Sequence, residues 1–239
     1  MNCHDPFYFF LIAFKFINNL FRTPLNGIIG IIDINSKSSD MELIEENRQK
    51  ARCAAQQLLS LLNEVLDMSR LEHGETVLTN ELFHLSELTA ALQDTMQIHA
   101  ADSGIILICD SYTVPSNCER VYGNPIYIQK IFFNIIENAI KYNKPNGSVK
   151  ITAEESRQMA VIRIQDTGIG IEEEHFNRLF ERFYRVDKGR SKRVAGTGLG
   201  LSIVKHVTEF YGGCVSVESQ SGVGSTFLVQ LPAASLVQK

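Results

Sequence analysis

Residues 126–142 read I-Y-I-Q-K-I-F-F-N-I-I-E-N-A-I-K-Y. Ile128, Ile131, Phe132, Ile135, Ile136, Ala139 and Ile140 recur at spacings of three and four, so this is an amphipathic helix with one buried face. Asn134, Glu137, Asn138 and Lys141 stack on the opposite face along two turns. Asparagine is a poorer helix former than the Lys and Glu of an ordinary solvated face, so two of them mid-helix ask for a reason. An amide oxygen is a hard, neutral ligand that suits Mg2+, and a Lys one turn later can meet a phosphate on that ion. Taken alone, the stripe also reads as an ordinary polar face. The Asn124-Pro125 pair before it is an N-cap followed by Pro at the first helical position.

Working outward, composition narrows the field. The chain has 239 residues, 44% of them hydrophobic, and a net charge of -4, which suits one large domain or two small ones. There is no basic surplus, so nucleic acid is not the expected partner. Lys188, Arg190, Lys192 and Arg193 form a local basic cluster that reads as a solvated loop unless a phosphate lies nearby. Cys3, Cys53, Cys109, Cys118 and Cys214 are scattered, without a C-x-x-C pair, which points to a reducing, cytoplasmic setting rather than a disulfide framework. The apolar run at 7–17 is too short to span a bilayer and lacks the marks of a leader.

Before residue 75 the pattern is helical. Phe14, Ile17, Phe21, Ile28 and Ile31 predict one helix to about residue 37, with a kink at Pro24. Ala51, Ala54, Leu58, Leu61, Val65 and Met68 form a heptad seam in a second helix, about 41–72. Leu59, Leu62 and Leu66 widen its stripe beyond what one hairpin can cover. Two hairpins paired as a four-helix bundle would cover it, which predicts a homodimer through residues 1–75. From 76 to 239 the texture changes to mixed α/β: an extended stretch at 76–83, a helix at 84–101 and a buried strand at 105–110. After the Asn-bearing helix come strands at 149–154 and 159–165, helices at 172–183 and 200–211, and strands at 214–219 and 226–231. The expected fold class is α+β: an antiparallel helical hairpin followed by one sheet covered by helices.

Three glycine-bearing loops follow the Asn helix. D-T-G-I-G at 166–170 directly follows a strand, where a buried Asp can accept a hydrogen bond from an exocyclic amine such as that of adenine. G-T-G-L-G-L at 196–201 opens a helix, and backbone N–H groups there suit phosphate. It is neither a Rossmann fingerprint nor a Walker loop. G-V-G-S-T-F at 222–227 precedes the last strand. Any one of these is also a common turn.

Their order is specific. N-x-x-x-N-A-x-K-Y, D-x-G-x-G, F-E-R-F-Y-R, G-T-G-L-G-L and G-x-G-S-x-F closely resemble the ATP-binding domain of sensor histidine kinases, over 121–232. L-D-M-S-R-L-E-H-G-E at 66–75 resembles the end of that family's second dimerisation helix, and R-T-P-L-N-G-I-I-G at 22–30 the second half of its phosphoacceptor motif. The resemblance implies an ATP-binding domain of the gyrase/histidine-kinase type, with ATP and Mg2+ as cofactors. It implies that Asn134 and Asn138 hold Mg2+, that Lys141 contacts phosphate and that Tyr142 flanks the nucleotide. Asp166 would read the adenine amine, with Gly168, Gly170, Gly222 and Gly224 shaping that side and Thr226 beside it. Phe180, Phe183 and Tyr184 would hinge a lid at 185–195, with Arg185 a phosphate contact. Gly196, Thr197, Gly198, Leu199 and Gly200 would bend round the phosphates. The chemistry implied is phosphoryl transfer by positioning and charge neutralisation, to a protein His and on to a response-regulator receiver domain. The related ATPases place a Glu general base where this chain has Asn134, so fast ATP hydrolysis is not expected.

One departure is chemical. The family reads Ser-His-Glu/Asp-Leu/Ile-Arg-Thr-Pro; here 18–24 reads N-N-L-F-R-T-P. The acceptor His is Asn19, whose amide nitrogen is not nucleophilic, and the acidic neighbour is Leu20. Thr23, which some members use to position water for dephosphorylation, is kept. The pattern fits from Arg22 onward and fails before it; a natural loss of the acceptor and a changed reading frame near Phe21 would both produce this. The expectation is a transmitter core that binds ATP but does not phosphorylate itself in the usual way. A non-catalytic nucleotide-binding dimerisation module acting by conformation is the alternative, and a membrane would enter only through a sensor region outside this sequence.

Overall fold

The structure is a computed structural model and describes residues 6–73, 80–109, 120–156, 159–186 and 197–233. It divides into two compact units, residues 1–73 and 74–239. The first is a helical hairpin of α1 (Pro6–Asn35) and α2 (Met41–His73). α1 runs unbroken through Pro24. The predicted seam positions Ala51, Ala54, Leu58 and Val65 are half-buried and Leu61 is buried, so the heptad face of α2 is the one turned to α1. Near the hairpin turn, Asp40 Oδ1 accepts from the N–H groups of Glu42 and Leu43 and so caps α2. Beside it, buried Asn47 donates to Asn35 Oδ1 at 2.9 Å, tying the two helices together.

The second unit begins with β1 (Glu81–His84), α3 (Leu85–Asp102), β2 (Ile106–Cys109) and β3 (Arg120–Gly123). Then come α4 (Pro125–Lys141), β4 (Ser148–Ser156) and β5 (Met159–Asp166). A short 3-10 helix, Glu173–Arg178, leads to α5 (Gly200–Phe210), β6 (Cys214–Gln220) and β7 (Gly224–Pro232). Five strands form one sheet in the order β2-β4-β5-β7-β6, antiparallel except for the β2–β4 pair. The helices α3, α4 and α5 supply Leu92, Met96, Ile128, Ile131, Ile135, Val204 and Val207 to a core closed by Val149, Ile162, Ile164 and Val229 of the sheet. The 126–142 helix is therefore central, as its periodicity requires. Asn124 Oδ1 accepts from the N–H groups of Ile126 and Tyr127, so the Asn-Pro start is an N-cap in fact.

Three expectations need correction. The predicted helix at 172–183 is only the 3-10 turn at Glu173–Arg178. Phe183 sits at φ 62° and gives its N–H to Gly198 O at 2.8 Å, so this backbone is spent on a loop 15 residues away instead of an i→i−4 bond. The strand at 106–109 is an edge strand rather than a buried one. Leu107 is buried, but Ile106 and Ile108 are 60% and 42% exposed. The predicted single sheet also omitted a second, two-stranded sheet, in which β1 pairs antiparallel with β3. Residues 74–79 lie outside the described residues.

Candidate nucleotide site

Two groups of candidate residues lie along α4, one where β5 stops at Asp166 and one where α5 starts at Gly200. Asp166, the last residue of β5, is 9% exposed. Its Oδ1 accepts from Gly168 N at 2.8 Å and Ser225 N at 3.3 Å, so both backbone bonds fall on the same carboxylate oxygen. Burial raises its pKa above the usual carboxylate value, against the opposing pull of those two bonds and of Lys144. A carboxylate held this way has a fixed orientation and one oxygen left to meet a donor.

The glycines around it meet hard constraints. A Cβ on Gly168 would collide with the carbonyl of Tyr142. Gly224 (φ 146°) lies against the carbonyl of Asp166 in the same way. These are close backbone approaches that no other residue tolerates. Ile169 N donates to Tyr142 O at 3.1 Å, and Gly222 N to Ile169 O at 2.7 Å, so the D-T-G-I-G and G-V-G-S-T-F loops are laced to the end of α4. Thr226 is half-buried in β7, in register with Gln165 of β5.

Along α4, Asn134 and Asn138 are half-buried, while Glu137 between them is exposed. The start of α5 lies against Asn134: a Cβ on Gly200 would be 3.1 Å from Asn134 Oδ1. Asn134 and the helix start thus share one locality, which sets a neutral amide oxygen beside a helix N-terminus without a side-chain cap at Leu199. Lys141 follows in the last turn, its ammonium 5.7 Å from the centroid of the Tyr142 ring. Burial raises the pKa of Tyr142, opposed by the charge of Arg185, so Arg185 acts electrostatically on the end of α4. Thr197 Oγ1 accepts from Leu199 N at 3.0 Å. The Leu199 side chain is 1% exposed and belongs to the core, so only its backbone can face a ligand. Gly198, at φ 72°, is pinned to Phe183 by the bond already described. Tyr184 is fixed from two sides, by His175 Nδ1 at 2.8 Å from its hydroxyl and by the Arg178 guanidinium 4.3 Å from its ring centroid. Gly196 and the basic cluster at 188–193 lie outside the described residues.

In the hairpin unit, Asn19 lies within α1, and Thr23 is exposed one residue before Pro24. The sequence reading missed Asn143, Lys144, Thr167 and Ser225. Asn143 Nδ2 donates to Ala139 O and Ser148 O, and its Oδ1 accepts from Lys144 N and Thr167 Oγ1. One amide thereby joins α4, β4 and the D-T-G loop. The signal was a polar residue between the K-Y pair and the N-G turn, which reads locally as turn chemistry alone.

Comparison with known proteins agrees with this geometry. A family model described as "Histidine kinase-, DNA gyrase B-, and HSP90-like ATPase" matches residues 123–235. A second, "His Kinase A (phospho-acceptor) domain", matches residues 21–74. The chain belongs to the sensor histidine kinases. The phospho-acceptor match starts at residue 21, two positions after Asn19. Among curated relatives, the circadian input-output histidine kinase CikA of Synechococcus elongatus is 32% identical over 220 residues, 91% of this chain and 29% of CikA. The chain spans between 23% and 47% of the length of the curated relatives it matches. Full-length ShkA in complex with AMPPNP superposes with a TM-score of 0.70 at 28% identity, over 90% of this chain and 44% of that one. Histidine kinase ThkA, solved with the response regulator protein TrrA, shares the fold with a TM-score of 0.71 at 22% identity, over 96% of this chain and 62% of that one. Among the described residues, no helix is long and apolar enough to cross a membrane.

Proposed function

We propose that the chain is the transmitter core of a two-component sensor histidine kinase, binding Mg-ATP in the 74–239 unit for phosphoryl transfer to a protein histidine. The observation that carries this reading is the shared locality of Asn134 and the start of α5 at Gly200, alongside the loops laced to the far end of α4 around Asp166. That arrangement offers amide oxygens for Mg2+, helix N–H groups for phosphate and an oriented carboxylate for an exocyclic amine. When bound, Mg2+ would neutralise charge on the triphosphate; Asn134 and Asn138 would hold it, and Lys141 would meet a phosphate oxygen. The AMPPNP held by ShkA, at 28% identity, supports the same ligand class here. Arg185, Thr197, Gly198 and Gly200 belong to the phosphate side, Tyr142, Gly168, Gly170 and Thr226 to the base side. Nothing at Asn134 can take a proton from water, so the site suits transfer to an aligned acceptor over hydrolysis.

The acceptor is where two readings part. Asn19 has no nucleophilic nitrogen, so the chain transfers phosphate only to a histidine of another protein or works as a nucleotide-binding module that controls a partner by conformation. Both readings use a homodimer through the hairpin, and a receiver domain is the partner class that follows from the family. The cytoplasmic side is the compartment that supplies ATP and receiver domains.

Calorimetric titration with ATP, with and without Mg2+, tests the common part. The account expects ATP binding that tightens with Mg2+, and an Asn138→Ala chain that keeps metal-free binding but loses most of the Mg2+ effect. ATP binding indifferent to Mg2+ in both chains would remove the metal assignment.

A further inference from the structure

Three backbone segments meet next to Asp166, and their last link is a side chain. Tyr142 O accepts from Ile169 N, and Ile169 O accepts from Gly222 N, at 3.1 and 2.7 Å. Gly222 O in turn accepts from Lys144 Nζ at 2.6 Å, across 78 residues of sequence. Lys144 is itself seated by the bond from its N–H to Asn143 Oδ1 at 3.0 Å. The circuit therefore runs from the end of α4 through both glycine loops and back to the turn that follows α4. Removing the ammonium opens it at one point. A charged donor on a carbonyl is among the stronger hydrogen bonds, and this one lies next to the turn whose Ser225 N–H orients the carboxylate.

We propose that Lys144 is a positioning residue of the nucleotide site: it clamps the 222–225 turn onto Asp166 and so holds the base-reading carboxylate in its binding geometry. The inference rests on the Mg-ATP reading given above. Among the described residues, Lys144 is also the charged group that acts on Asp166, drawing its pKa down against the larger upward effect of burial. The remaining influences on that carboxylate are the backbone N–H groups of Gly168 and Ser225. Lys144 thus couples the clamp to the charge state of the group it positions. Lys144 sits on the base side, bonded to the adenine-side loop, so its effect belongs to the base and not to the phosphates.

The test measures binding of ATP, ADP and adenosine by calorimetry between about pH 5 and pH 8, on the full chain and on Lys144→Met and Lys144→Arg. Lys144 is exposed, so neither substitution opens a cavity, and thermal melts of each chain establish the fold. The proposal expects Lys144→Met to weaken all three ligands by the same factor, about fivefold near neutral pH. It also expects the acid limb of the binding profile to move to higher pH, because Asp166 protonates earlier without the nearby ammonium. Lys144→Arg restores both. A Lys144→Met profile that superimposes on the wild type overturns the proposal while leaving the ATP site intact. A loss confined to ATP overturns it too, since that is the mark of a phosphate contact. A wild-type chain that binds none of the three at any pH overturns the site reading and this inference together.

Discussion

Asp166 shows how a binding residue works against the stability of its own fold. It is buried, and burial raises its pKa despite two backbone hydrogen bonds and Lys144. For a carboxyl the sign is fixed: the unfolded chain releases this proton at lower pH than the folded one. Stability is undiminished below the ordinary carboxylate value and is lost as pH rises through the interval up to the raised value. Above that interval the cost stays constant. Asp166→Asn keeps an oxygen for Gly168 N and Ser225 N and removes the buried charge. The unliganded variant should melt about 1–3 °C higher near neutral pH, while its affinity for ATP falls at least about tenfold. A melt at the wild-type temperature with full ATP affinity would contradict both roles. The residue itself was legible in the sequence only through the order of the motifs around it, because an Asp ending a strand before a glycine turn is by itself a common turn. Its supports were not. Ser225 and Lys144 act through partners 59 and 78 residues distant, and no local pattern encodes such a pairing.

At the scale of elements, periodicity succeeded where packing follows it and failed where a loop takes the backbone. The 126–142 helix could be read to its cap because apolar spacing, Asn124 and Pro125 all agree. The stretch 172–183 carries Phe176, Leu179, Phe180 and Phe183 at helical spacing, yet the chain leaves the helical path by Phe183 to meet Gly198. That bond joins the two flanks of residues 184–197. Gly198→Ala should strain it twice, through φ 72° and through a Cβ 2.8 Å from the Phe183 carbonyl carbon. The expected result is a folded chain with ATP affinity reduced about five- to tenfold, from a strain of the order of 1–2 kcal/mol placed beside the phosphate side. Unchanged calorimetric affinity would show that the Phe183–Gly198 link does not shape the site. The edge position of β2 was illegible for a related reason: I-I-L-I reads as buried on both faces until the strand order is known.

At the scale of the whole molecule, the hairpin leaves apolar surface that one copy cannot cover. Leu25, Ile29 and Ile32 of α1 and Leu59, Leu62 and Leu66 of α2 are each at least 44% exposed, although α2's heptad seam is already turned inward. The stripe that looked too wide in the sequence is too wide in the structure. A homodimer through this unit should therefore lose its contact when charge is placed on it. Sedimentation of an Ile32→Glu, Leu62→Glu chain should give the monomer mass where the wild type gives the dimer, with the 74–239 unit still folded. A wild-type monomer at micromolar concentration would contradict the dimer.

The central claim joins the two units: a working ATP site and an acceptor position without its nucleophile. The most direct measurement incubates the chain with Mg2+ and ATP labelled on the terminal phosphate, beside an Asn19→His variant. The account predicts label on the variant and none on the wild type. Label on the wild-type chain would contradict the reading of Asn19, and label on neither, in chains that bind no ATP, would contradict the site built around Asn134, Asn138 and Asp166.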